Sequence, residues 1–245
     1  MKESKRVVPS FFMVSLVCVT KRKDYLNNII NNFTCQSYRN LELIIVLHGV
    51  DVEDDYYELC RNKAIKIIFI DCKLSFGHAL NIGFLSSSGE YVFKFDDDDI
   101  YADRYVEESV DVFNRSSFVS VLGKSNIYWL LSEDGDFFIR RSMKNQLAGA
   151  TIAMRRSLLK KTCFESLNIG EDSTFLQYCK QLSINCYSTS SENFCAVRYE
   201  VGHHTWDVTP ALLKKATKNI NIIEVATAMD EISVRDFLRS KNEVV

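Results

Sequence analysis

Apolar residues in the first hundred positions fall into short, β-branched runs separated by polar stretches of helical length. Met13 to Val19, Leu41 to Leu47, Ile65 to Ile70 and Tyr91 to Phe95 are each bounded by polar residues. Continuous apolar runs of this length suit strands buried on both faces, the situation of a parallel sheet. The gaps carry a different period. Leu26, Ile29, Ile30 and Phe33 recur at the spacing that lines one face of a helix, and Asp24 stands where it can cap the start. Asp51 to Asn62 and Ser75 to Ser88 fill the next two gaps at helical length. This alternation predicts βαβ units, and the N-terminal hundred residues read as a Rossmann-like half of an α/β fold with a mostly parallel sheet.

Beyond Tyr101 the alternation loosens. Ala102 to Asn114 predicts a helix, and Phe118 to Leu131 and Phe137 to Arg141 predict antiparallel strands joined by a turn at Glu133-Asp134-Gly135. Gly149 to Met154 predicts a short strand, and Glu171 to Gln181 a helix with Phe175, Leu176, Cys179 and Leu182 inward. Two strands follow near Ile184 to Tyr187 and Phe194 to Tyr199. Pro210 then opens a predicted helical C-terminus to about Ser240, Pro being at ease in a first helical turn. There Leu212, Leu213, Ile220, Ile223 and Val225 would form an apolar face beside Lys214, Lys215 and Lys218, suited to core packing, a dimer contact or a membrane surface. No repeat or linker cuts the chain, so the expected organisation is a domain over 1–209 with a helical extension over 210–245 packed on it.

Composition narrows the function classes. Of 245 residues 47% are hydrophobic and 25% charged, ordinary for a globular chain, which excludes disorder over most of its length. A net charge of −2 supplies no basic field, so no nucleic-acid partner is expected. The longest apolar run, around Val7 to Val19, is broken by Pro9 and Ser10 and lacks a small-residue cleavage site after it. It reads as a buried first strand rather than a signal peptide or membrane span. The 8 cysteines form no CxxC pair. They read as reduced thiols of a cytoplasmic protein, which would touch the inner face of the membrane at most peripherally.

The strongest chemical signal is Phe95-Asp96-Asp97-Asp98-Asp99. Four consecutive carboxylates after a buried strand repel one another. A divalent cation relieves that repulsion, held by one or two carboxylates plus substrate phosphates. Ligands of open α/β sheets bind at the carboxyl ends of strands, where this run falls.

These segments together resemble a known family. Ser15-Leu16-Val17-Cys18-Val19-Thr20, followed by Gln36-Ser37-Tyr38-Arg39-Asn40-Leu41-Glu42-Leu43-Ile44-Ile45-Val46, looks like the opening of family 2 glycosyltransferases of the GT-A fold. Asn81-Ile82-Gly83 and Gly89-Glu90-Tyr91-Val92-Phe93 resemble that family's approach to its DxD motif. Gly170-Glu171-Asp172 resembles its ED motif, and Gly202-His203-His204-Thr205-Trp206 the C-terminal His segment of some members. The likeness covers roughly residues 13 to 206. It implies a GT-A fold with a mixed acceptor-side half, and a metal-dependent inverting transfer of sugar from a nucleoside-diphosphate donor, UDP-linked by expectation. The acceptor would be a glycan or lipid-linked hydroxyl in polysaccharide or glycoconjugate synthesis.

Roles follow residue by residue from the resemblance. Asp96 would contact the donor's ribose or the metal shell, and Asp98 would bind Mg²⁺ or Mn²⁺. Asp172 would take the proton of the acceptor hydroxyl. A histidine of the C-terminal segment would complete the metal or phosphate site; His204 is preferred and His203 stays open. Thr20, His48 and Asn81 join Asp96 and Asp98 as donor-binding candidates. His78 reads as a surface or capping residue, and Arg155 and Arg156 as meeting phosphate or solvent. There are departures. Leu47-His48-Gly49-Val50-Asp51 replaces the family's Asp-Asp-Gly-Ser turn, so His48 or Asp51 would stand in for the acid that reads the base. The family's Pro after the DxD segment is absent, with Asp103 near its place. The competing readings are a non-catalytic sugar-nucleotide binding or scaffolding protein, and a sugar nucleotidyltransferase, which would want a Gly-rich loop that Val19-Thr20-Lys21-Arg22-Lys23 does not supply.

Overall fold

A computed structural model describes residues 12–51, 59, 61–142, 146–199 and 209–242. The four predicted N-terminal strands form as β1 (Val14–Thr20), β2 (Leu41–His48), β3 (Ile65–Ile70) and β4 (Tyr91–Phe95). Burial explains why their sequences are largely apolar, with Glu42, Lys66 and Lys94 as the charged exceptions. Along β1, Val14, Leu16 and Cys18 enter one core cluster while Val17 and Val19 enter another, on the opposite side of the sheet. Both faces are covered, so no position can be polar without a cost.

Three helices follow the predicted spacing: α1 (Leu26–Thr34), α2 (Phe76–Leu85) and α3 (Tyr105–Arg115). Ser75 caps α2, accepting from the His78 amide. Asp24 does not cap α1; it sits in a 3-10 turn, Lys23–Tyr25, that extends the helix forward and puts Tyr25 at the cap without a side-chain bond. The predicted helix over 51–62 lies largely outside the described residues.

Downstream come β5 (Ile100–Tyr101), β6 (Val121–Gly123), β7 (Asn126–Leu131), β8 (Asp136–Ser142), β9 (Ala153–Arg155), α4 (Glu171–Gln181), β10 (Cys186–Ser188) and β11 (Phe194–Arg198). The predicted strand over 149–154 is shorter than expected. Gly149–Thr151 is a 3-10 turn, closed by the Thr151 hydroxyl on the Ala148 carbonyl at 2.8 Å, and only β9 continues as strand. One sheet has the order β10-β6-β9-β4-β1-β2-β3, in which β4, β1, β2 and β3 run parallel and β9 runs against β4 and β6.

The C-terminus corrects the sequence reading. After a single helical turn, α5 (Pro210–Leu213), the chain forms β12 (Ile220–Ala226) and only then α6 (Glu231–Ser240). The expected apolar helical face therefore does not exist: Leu213 is buried, Leu212 is exposed, and Ile223 and Val225 lie on a strand. β-Branched Ile220, Ile222, Ile223 and Val225 favour a pleated surface, and β12 finds one by pairing antiparallel with β8. A second sheet results, ordered β12-β8-β7-β11-β5. Helix α6 packs on it, burying Val234 and Leu238 among Tyr128, Leu130, Phe137 and Val197. Among the described residues, no helix is long and apolar enough to cross a membrane.

Candidate functional site

Register places the acidic run. In the parallel ladder of β1 and β4, Cys18 pairs with Phe95, so Val19-Thr20 and Asp96-Asp97 continue side by side at the carboxyl ends of the two strands. From β1 the chain steps one way to β2 and β3, while β4 lies on the other side. This is the reversal point where open α/β sheets bind ligands. Immediately afterwards the chain crosses into the second sheet as β5, so Asp96 to Asp99 span the seam between the two sheets.

Each carboxylate there has a named partner. Asp96 pairs with Lys94 at 2.6 Å, and its amide donates to the Tyr101 hydroxyl at 2.8 Å. Asp97 accepts from the Thr20 hydroxyl and from two nitrogens of Arg22, Nε at 3.1 Å and the shorter contact from Nη2. Arg22 Nη2 also reaches Asp98 Oδ2 at 3.0 Å. Asp99 is buried and accepts from the Val197 amide at 3.0 Å. The repulsion that the sequence alone would assign to a metal is thus offset in part by Arg22 and Lys94.

The ionisation of these groups follows from burial and charge. Burial alone would lower the Lys94 pKa, but Asp96, then Asp172 and Glu171, raise it, so its buried amine stays an ammonium. Arg22 behaves alike, burial opposing and Asp97 then Asp98 prevailing. Burial pushes the Asp97 carboxyl up despite the Arg22 hydrogen bond. Asp99 is pushed well above the usual carboxylate range by burial, then by Asp98.

Lys94 also feels the charge of Asp172. Gly170, at φ 83°, caps α4 in the left-handed region, and Glu171 and Asp172 fill the first turn. Asp172 Oδ1 accepts from the Ser173 amide at 2.6 Å. The buried Glu171 carboxyl is raised by burial, with Lys94 opposing and Asp172 adding. The 3-10 turn at Gly149–Thr151 is wedged between the two acidic centres. Tyr101, which receives the Asp96 amide, donates its hydroxyl proton to the Ala150 carbonyl at 2.7 Å. On the far side of the turn, a Cβ at Gly149 would lie 1.6 Å from Asp172 Oδ2. Lys94 and this turn therefore link the loop of Asp96 to Asp99 with the start of α4.

The other predicted residues separate into groups. Thr20 joins the loop through Asp97. His48 ends β2, buried, with Nε2 against the Leu74 carbonyl at 2.7 Å; burial, then Lys21, lowers its pKa. Both amide atoms of Asn81 bond the backbone of Phe164, at 2.8 and 2.9 Å, tying α2 to the segment before α4. Exposed His78 bridges Ser75 and Ser166. Arg155 is half-buried and binds the carbonyls of Phe113, Ser116 and Val119, closing the end of α3. His203 and His204 lie outside the described residues. The sequence reading passed over Arg22, Lys94 and Gly149. Lys94 had a signal, a charge inside the apolar run Tyr91 to Phe95, since lysine is almost never fully buried without a partner.

The hard carboxylate oxygens of Asp96 and Asp98 suit Mg²⁺ or Mn²⁺. Among the described residues, no three acid, histidine or cysteine side chains converge to hold an ion unaided. A cation there would complete its shell with oxygens of a bound phosphate, the usual habit of Mg²⁺.

A sequence model of the family described as Glycosyl transferase family 2 matches residues 15–163, more than half of the chain. A glycosyltransferase of Haemophilus influenzae is 31% identical over 111 residues, 44% of this chain and 34% of that protein. A second from the same organism is 24% identical over 187 residues, 71% of this chain and 74% of its own length. The chain spans 34%, 17% and 31% of the first three curated relatives it matches, so it corresponds to a part of each. Among solved structures, S. aureus TarS 1-349 in complex with UDP-GlcNAc superposes with a TM-score of 0.63 at 18% identity, covering 80% of this chain and 61% of that one. The mannosyltransferase PcManGT from Pyrobaculum calidifontis, in complex with GDP-Man and Mn2+, gives 0.54 at 15% identity, covering 77% and 56%. At these identities the likeness speaks to the fold, which is of the GT-A type expected from the sequence.

Proposed function

We propose, for a chain that belongs to glycosyl transferase family 2, that it transfers a sugar from a nucleoside-diphosphate donor to a hydroxyl with inversion at the anomeric carbon. The observation that carries this reading is that two acidic centres, Asp96 to Asp99 at the reversal point of the sheet and Asp172 at a helix start, both act on buried Lys94. The donor's diphosphate would lie at the carboxyl end of β4 near Asp98 and its nucleoside toward Thr20. A divalent cation held by Asp98 would neutralise charge gathering on the departing diphosphate. Asp172 would accept the acceptor's proton as the hydroxyl oxygen attacks the anomeric carbon. The bond from that carbon to the diphosphate oxygen breaks, its electron pair leaves with the nucleoside diphosphate, and the configuration inverts. A carboxylate is a weak base at neutral pH, so the step depends on placement within hydrogen-bond reach.

A UDP-linked donor is the first choice, supported by the UDP-GlcNAc bound in the structural neighbour TarS; the GDP-Man of PcManGT makes guanine the next. A glycan or lipid-linked acceptor made on the cytoplasmic side fits the seven described cysteines, all free thiols. The test is a panel of nucleotide sugars with and without Mn²⁺, read by thermal shift and by slow donor hydrolysis. UDP-sugars are expected to stabilise the chain only with the metal. Indifference to every nucleotide would move the protein to the scaffolding reading.

Gly149 supplies a further check. Its backbone has no left-handed φ, so alanine there is tolerated by the main chain and acts only through its methyl group. That methyl would collide with Asp172 Oδ2 and push the carboxylate aside. A displacement of about 1 Å can cost roughly 100-fold. Gly149→Ala is therefore expected to lower kcat about that much, while donor binding measured by calorimetry holds.

A further inference from the structure

We propose that Arg235, on helix α6, is a positioning residue for the acidic loop. It lies outside the matched segment 15–163, yet two asparagines connect it to the peptide groups on both sides of Asp98. Asn28 donates from Nδ2 to the carbonyls of Asp97 at 2.8 Å and Asp99 at 3.0 Å. Asn32, one turn along α1, donates to the same Asp99 carbonyl at 2.8 Å and accepts from the Tyr101 amide at 3.3 Å. Arg235 donates to the oxygens of both amides, Nη2 to Asn28 at 2.7 Å and Nη1 to Asn32 at 3.2 Å.

The chemistry gives this relay a direction. A guanidinium has donors and no acceptor, so it can face only the oxygen end of an amide. Arg235 thereby selects the orientation of Asn28 and Asn32 in which each NH₂ group points at the loop. Without it, the Asn28 amide could turn over and set its oxygen against the carbonyls of Asp97 and Asp99, while Asn32 keeps the Tyr101 amide as a second guide. The planar fork of arginine spans both amides at once, which one ammonium cannot do. Arg235 is itself fixed by Val234 and Leu238, both buried in the second sheet's core. A second link starts one turn earlier on α6. Glu231 accepts from the Tyr199 hydroxyl at 2.6 Å, Tyr199 packs edge-on against Tyr25 at 5.8 Å, and Arg22 lies over Tyr25 at 4.2 Å. The C-terminal helix is thus linked to the carbonyls of the acidic loop through Asn28 and Asn32, and to the cation that pairs its carboxylates through Tyr199 and Tyr25.

The inference rests on the reading of Asp98 as a donor-site residue, so its test has one arm that needs no donor. In the nucleotide-free chain, Arg235→Ala is expected to speed hydrogen exchange of the amides of 97–101 about tenfold or more, leaving β2 at its wild-type rate. In the second arm, donor KM should rise and kcat/KM fall by about 10 to 100-fold, the cost of a loosened site. Arg235→Lys should recover part of the loss. Asn28→Ala should reproduce it, and the double variant should be little worse than either single one, because both act through one relay. Unchanged exchange at 97–101, equal acceleration at β2, or additive losses in the double variant would each overturn the proposal. Should the loop loosen as expected while the wild-type chain binds no nucleotide, the relay stands and the donor-site reading falls.

Discussion

Asp172→Asn is expected to lower kcat by about 10³-fold or more, toward the upper end of what a lost general base costs, with donor affinity held within a factor of two. Asparagine has the same shape, so the space beside Gly149 is still filled and the Ser173 amide can still donate to the side-chain oxygen. What disappears is the capacity to take a proton. The fold loses one of the carboxylates around buried Lys94, but Lys94 keeps its ion pair with Asp96. Asp172 is one of the groups pushing the Glu171 carboxyl up, and its neutralisation relieves that repulsion. A purely structural role predicts something different: an acid in a first helical turn contributes roughly 0.3–1 kcal/mol through the helix dipole, and its loss would show in the unfolding midpoint and not in turnover. Single-turnover kinetics beside a calorimetric titration with the donor nucleotide separate the two. Normal transfer by Asp172→Asn would end its assignment as the base.

What the sequence disclosed tracks how local each determinant is. Strands β1 to β4 were legible to within a residue because both faces of the central strands are covered, which forces largely apolar runs. Residues 220–226 were misread as helix because Ile220, Ile223 and Val225 suit either period, and only pairing with β8, some eighty residues earlier, selects the strand. Arg22 could not be found from its neighbours. Its place beside Asp97 and Asp98 follows from the Cys18–Phe95 register, a contact between distant parts of the chain. Arg235 is still more remote, reaching the loop through two asparagines on the polar side of α1 that look, in sequence, like a solvated helix face. Resemblance drew attention to Asn81 for the donor, whereas the described geometry commits both of its amide atoms to Phe164.

Asp98→Ala should lower kcat/KM by about 10³-fold while leaving the ligand-free chain as stable as before, or more so. Loss of one charge-stabilising group from a reaction centre commonly costs roughly 10²–10³ in rate, and Asp98 is asked to serve both donor binding and the departing charge. The stability half of the prediction comes from the neighbours. Asp98 raises both the Asp97 and the Asp99 carboxyl by repulsion, so its removal eases two buried acids at once. Arg22 does not become an orphaned cation, because it keeps two nitrogens on Asp97. An acid that repels two buried neighbours fits a site that trades stability for activity. The two readouts are the unfolding midpoint without ligand and the Mn²⁺-dependent titration with UDP. A midpoint that holds or rises, together with lost titration, fits a donor-site carboxylate. A midpoint that falls by several degrees while UDP binds as in the wild type would make Asp98 a structural partner of Arg22 and remove it from the reaction.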